Sequence, residues 1–157
     1  MQSESARMNS AAEARFRVQA PNSTPRAVTV IALDAAGEAV VRRLAAAAWI
    51  HATFLTAPTV DALTDLDGRA RSVTDEVQTA DLVVFVAGPG GHAHSASLIG
   101  EACSLRRVMT TAFLVGTASA AEHALSKTLA QLRPWSLMVV IAGSDEYIDD
   151  MMTALRA

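Results

Sequence analysis

The chain has 157 residues, 51% of them hydrophobic and 18% charged, with a formal net charge of −3. That length suits one domain, and the apolar share excludes a disordered chain that cannot build a core. No basic cluster points to nucleic acid, and no apolar run approaches the roughly 20 residues of a membrane span.

Cys103 is the single cysteine, so no intramolecular disulfide forms. With no secretory apolar segment at the N-terminus, the expected compartment is the cytoplasm. Residues 1–25, MQSESARMNSAAEARFRVQAPNSTP, lack sustained periodicity and are expected to be a flexible tail. The remainder, 26–157, is expected to be a single α/β domain. AVTVIAL (27–33) is a β-branched run, as in a strand buried on both faces. AGEAVVRRLAAAAWI (36–50) follows as a helix with Val40, Val41, Leu44, Ala47 and Ala48 on its apolar face. ATFLTA (52–57) is a second strand. The polar stretch 59–80 predicts a loop and then a short helix ending near Thr79.

DLVVFVA (81–87) is the clearest strand of the chain. It is followed by a helix over 94–107, a strand over 108–116 and a helix over 119–133. Pro134 stops that helix, because its ring nitrogen cannot donate the next hydrogen bond. A fifth strand over 135–143 and a helix over 145–157 close the chain. Strands alternating with helices of this length predict parallel pairing through right-handed crossovers. The expected fold is a three-layer, doubly wound, Rossmann-like α/β sheet of about five mainly parallel strands. Ligands of such sheets bind beyond the carboxyl ends of the strands, which directs attention to the loops at 33–39, 56–63, 87–97, 116–120 and 143–147.

The loop after the clearest strand, AGPGGHAHSAS (87–97), carries Gly88, Gly90 and Gly91. Glycines here let backbone approach a phosphate, and the next helix offers free N–H groups; a tight turn needs glycine for steric reasons as well. His92 and His94 form an H-x-H pair. They could chelate a metal if His51, Asp34 or Asp145 joined them, supply positive charge to an anion when protonated, or simply be exposed loop residues. Ser95 and Ser97 are expected to cap the following helix. Asp145 and Glu146 suit the start of the last helix, where negative charge is favoured, and Asp149 and Asp150 extend the acidic stretch. Cys103 reads as a small buried apolar residue rather than a reactive thiol. Trp49, Trp135, Met138, Met151 and Met152 read as packing, with a Met/Trp patch on the last helix as a candidate partner surface.

Three stretches in this order carry a family resemblance. VTVIALDAAGEAVVRRL, TADLVVFVAGPGGHAHSASLIGEACSLRRVMTTAFLVG and ALSKTLAQLRPWSLMVVIAGSDEYID resemble successive parts of the nucleotide-binding half of the FtsZ/tubulin family. They correspond to the first strand–turn–helix, the strand with the GGGTGTG signature, and the later strand with its Asn–Asp loop. FLTAPTVDAL is similar to the second strand and its loop. The resemblance implies the family's fold, and a GTP or GDP pocket at Asp34, Gly37, Gly88, Gly90, Gly91, His92, His94, Ser95, Ser144 and Asp145.

This sequence departs from the family at those very positions. The first turn is Asp34, Ala35, Ala36 and Gly37 where the family has nearly all glycine. His92, Ala93, His94, Ser95 and Ala96 stand in place of GTGTG, and Ser144–Asp145 replaces the Asn–Asp pair. No counterpart of the second domain, with its hydrolytic acidic loop, is present in the sequence. The first expectation is therefore a non-catalytic domain with a degenerate nucleotide pocket. It would bind a protein partner, a small anionic ligand or its own copies, without nucleic acid or membrane. The alternatives are a nucleotide-binding domain without self-sufficient hydrolysis, and a small enzyme or metal protein using His92 and His94.

Overall fold

The computed structural model describes residues 26–91, 93–117, 120–155 and 157. β1 (Val28–Ala32) has all five residues buried, as its β-branched run requires. Asp34 starts α1 (Ala35–Ala45) by accepting the amide of Gly37. α1 is shorter than its sequence pattern: Ala47 and Ala48 lie beyond its end and are exposed. The Trp49 indole donates to the Leu44 carbonyl at 2.8 Å, satisfying a helix-end acceptor as the chain turns away.

β2 (Ala52–Thr59) runs parallel to β1. The segment expected to be a loop instead begins with a hairpin, β3 (Ala62–Asp65) and β4 (Ala70–Arg71), added antiparallel to β2. Its turn is held by the Asp65 carboxylate, which accepts the amides of Asp67 and Arg69 at 2.9 Å each. Gly68 supplies the left-handed residue, at φ 87°. α2 (Val73–Thr79) then ends at Thr79 as the sequence indicates. β5 (Leu82–Ala87), α3 (Ser95–Arg106), β6 (Met109–Leu114), α4 (Glu122–Leu132), β7 (Met138–Ile141) and α5 (Asp145–Ala154) complete the alternation.

The described residues form one sheet in the order β4-β3-β2-β1-β5-β6-β7, with β2, β1, β5, β6 and β7 parallel. Alternate residues of each strand feed two separate cores. Val30, Val84 and Val86 pack with Val41 and Leu44 of α1 and with Ile148 and Met152 of α5. Ile31, Val83 and Phe85 pack on the other face with Val77 of α2, Ile99 and Cys103 of α3, and Leu132 of α4. The result is a three-layer α/β fold. The chain steps from β1 to β2 on one side and returns with β5 on the other, so the strand order reverses around β1.

One sequence expectation changes here. Met152 is fully buried and Met151 partly so, which leaves no methionine patch on α5; the exposed methionines among the described residues are Met109 on β6 and Met138 on β7. No helix among the described residues is long and apolar enough to cross a membrane.

Candidate functional site

A crevice of about 630 Å³ opens beyond the carboxyl ends of β1 and β2, beside the reversal point. Its floor and walls are mostly apolar (Ala32, Leu33, Ala57, Pro58 and Val60), and Asp34, Glu38, His94 and Ser95 bring the polar groups to it. Among the described residues no lysine or arginine lines it. The volume is in the range of small-ligand sites.

Asp34 organises this crevice. Its Oδ1 accepts the Gly37 amide at 2.8 Å, capping α1. The same carboxylate accepts the Gly88 amide, 2.9 Å to Oδ2 and 3.2 Å to Oδ1. It thus fills the space between the β1–α1 turn and the β5–α3 loop. Asp34 stands where the resembling family has glycine, and in the fold it is itself the anion held by the loop amides. Three glycines make room for this arrangement. A Cβ at Gly91 would overlap the Asp34 carboxylate, one at Gly37 would overlap the Val86 carbonyl, and one at Gly88 would press on Ala36.

The remaining loop contacts come from residues that the motifs do not single out. The Thr128 hydroxyl of α4 accepts the Gly90 amide at 2.9 Å, and the Gln131 side chain accepts the Ala93 amide at 3.2 Å. Gly90 itself turns the chain with φ 78°. The sequence signal for Thr128 is a hydroxyl on the helix face shared by Leu125 and Leu132: a buried hydroxyl needs a partner, and the glycine loop supplies it.

Ser95 and Ser97 do not cap α3. His94 occupies the cap position without a side-chain cap bond. The Ser95 hydroxyl donates to the Thr59 carbonyl at 3.0 Å, drawing the loop onto the end of β2, and that of Ser97 donates to the His94 carbonyl at 2.8 Å. Both hydroxyls donate to carbonyls, and no side-chain cap bond is made at the helix start.

The structure brings Asp34, Gly37, Gly88, Gly91, His94 and Ser95 together around the crevice. Gly90 turns toward α4. Ser144 precedes α5 at the end of β7, three strands away from β1, and does not line the crevice. Asp145 is the first residue of α5. His92 lies outside the described residues. Among the described residues no group of three His, Cys, Asp or Glu side chains could hold a metal ion. Cys103 faces the core beneath α3, and burial pushes its thiol up to about 11, where it carries no thiolate at neutral pH.

No family model and no curated protein matches the chain. Among solved structures it is similar to a point mutant of FtsZ from M. jannaschii, with a TM-score of 0.55 and 14% sequence identity. The likeness covers 92% of this chain and 58% of the FtsZ chain, so the protein spans a little over half of that relative. At this identity the match establishes an FtsZ/tubulin-like fold.

Proposed function

We propose that the protein is a non-catalytic FtsZ/tubulin-like domain with a degenerate nucleotide crevice, acting by binding a partner protein. The observation that carries this reading is the Asp34 carboxylate on the amides of Gly37 and Gly88. Those are loop amides of the kind a phosphate would use, and they are already engaged. A phosphate brought within about 4 Å of Asp34 would meet a repulsion of about 4 kcal/mol per unit charge at an effective dielectric of about 20. Among the described residues no lysine or arginine lines the crevice to offset it.

The same argument disfavours the small anionic ligand. Glu38 adds a second carboxylate to the rim, and its ion pair with Arg42 at 2.9 Å engages that guanidinium in turn. Apolar walls below acidic groups suit an uncharged or basic side chain of a partner better than an anion.

The test is a calorimetric titration with GTP and GDP, with and without Mg²⁺, on the unaltered protein and on Asp34→Gly. Silence from the unaltered protein is expected. Micromolar binding by it, about −8 kcal/mol, would overturn the degenerate-pocket reading and favour a working nucleotide-binding domain. Binding that appears only in Asp34→Gly would identify the carboxylate as the block.

A further inference from the structure

The two edges of the sheet are built differently. At one edge, β4 is only Ala70–Arg71, preceded by Arg69, and Arg71 pairs with Glu76 at 2.7 Å. A short, charged edge of this kind resists pairing with another strand. At the other edge, β7 bonds to β6 alone among the described residues. Residues 134–143 (PWSLMVVIAG) carry no charge. Leu137 is 77% exposed, Met138 42% and Ile141 49%. Val139 and Val140 anchor the strand to the two cores, to which α4 contributes Leu132 on one face and α5 Ile148 and Met152 on the other.

We propose that β7 is the contact surface for a second copy of this chain, the two β7 strands pairing antiparallel about a two-fold axis. A strand is the partner that an open edge requires, because backbone N–H and C=O groups pointing away from β6 repeat at strand spacing. The second copy is the strand that fits best. Antiparallel pairing of identical edges is self-complementary, and a chargeless edge meets its own image without repulsion. Sheet pairing would also bring Leu137, Met138 and Ile141 of both copies out of water.

The exposed apolar surface along this edge, with Met109 beside it, is on the order of 400 Å². A standard interface uses roughly 800 Å² per partner. The structure therefore assigns a weak, concentration-dependent dimer rather than a permanent one. The proposal concerns the edge remote from the Asp34 crevice and stands independently of what that crevice binds.

The experiment is sedimentation equilibrium of the full chain over a series of protein concentrations, joined to amide hydrogen exchange of β7. A monomer–dimer equilibrium is expected, with β7 exchange slowing as concentration rises. Met138→Lys combined with Ile141→Lys should raise the dimer dissociation constant by at least about tenfold. Ile50→Lys, at a position 85% exposed beyond α1 near the opposite side of the sheet, should leave it unchanged. Circular dichroism verifies the fold of each variant; if the double lysine variant fails to fold, concentration-dependent exchange of the unaltered protein decides. A monomer at every concentration would overturn the proposal, as would a dimer indifferent to both lysines. So would β7 protection that is independent of concentration and lost on deleting residues 1–25, which would make the chain's own N-terminal segment the occupant.

Discussion

The carboxylate of Asp34 lies 2.9 Å from the amide nitrogen of Gly88, joining two loops that are 54 residues apart in the chain. One side chain thereby caps α1 and closes the two turns around the strand-order reversal. Removing it with Asp34→Ala takes away a helix cap, typically about 1 kcal/mol, and a charge-assisted hydrogen bond of about 1.5–3 kcal/mol. A loss of about 2–3 kcal/mol in urea unfolding is expected, since the two contributions share one group and do not add fully. Asp34→Asn keeps the cap and should cost about half as much. An Asp34→Ala protein as stable as the parent would show that the carboxylate is not what holds the loops.

Gly91 tests the same contact from the opposite side. A Cβ there meets the Asp34 side chain, whereas at Gly37 it meets the Val86 backbone carbonyl. Both Gly91→Ala and Gly37→Ala should destabilise by about 1–3 kcal/mol, the usual range for overpacking. Asp34→Ala should relieve Gly91→Ala in larger part, because it removes the carboxylate and leaves only the Asp34 Cβ at 2.9 Å, whereas the main obstacle at Gly37 is backbone. A double-mutant cycle measures this. Equal coupling of Asp34→Ala to both glycine variants would contradict the geometry.

The alternation of strands and helices was legible because the central parallel strands are buried on both faces. β1 and β5 read as continuous apolar runs for that reason. The β3–β4 hairpin was not legible. Its turn, DLDG (65–68), has a plain signature, but the flanks ALTD and AR carry little β propensity, and pairing to β2 makes them strands. In the crevice, the glycines and Asp34 could be named from the sequence. Their relationship could not, because it depends on the β1–β5 register placing Ala32 beside Val86. Thr128 and Gln131 reach the loop from α4, 38 residues further on in each case, a distance no local motif spans.

Cys103 supplies a pH signature. The thiol has an ordinary value of 9.0, and burial in the fold pushes it to about 11. Above pH 9 the unfolded chain gives up this proton while the folded chain keeps it. Stability is thus unaffected by Cys103 below about pH 9 and falls as pH rises toward 11, by at most about 1.4 kcal/mol per pH unit. Comparing urea unfolding of the parent and Cys103→Ala across that range isolates the thiol from other titrating groups. The difference between the two should change with pH only in that window. A difference that is flat from neutral pH to pH 11 would mean that the thiol ionises as freely in the fold as outside it.

Two buried hydroxyls should respond oppositely to deletion. Thr128 has no exposed surface, and its Oγ1 accepts the Gly90 amide; Ser136, just before β7, has a buried Oγ without a hydrogen-bond partner among the described residues. Thr128→Val preserves shape but strips the Gly90 amide of its acceptor. Since Gly90 is itself exposed, water recovers part of that loss, and a cost of about 1 kcal/mol is expected. Ser136→Ala removes a hydroxyl that was desolvated without a return, so stability should hold or rise by up to about 1 kcal/mol. Thermal unfolding of the two variants beside the parent is sufficient. If Ser136→Ala destabilises as much as Thr128→Val, the Ser136 hydroxyl has a partner in solution, and the N-terminal end of β7 is where that partner must sit.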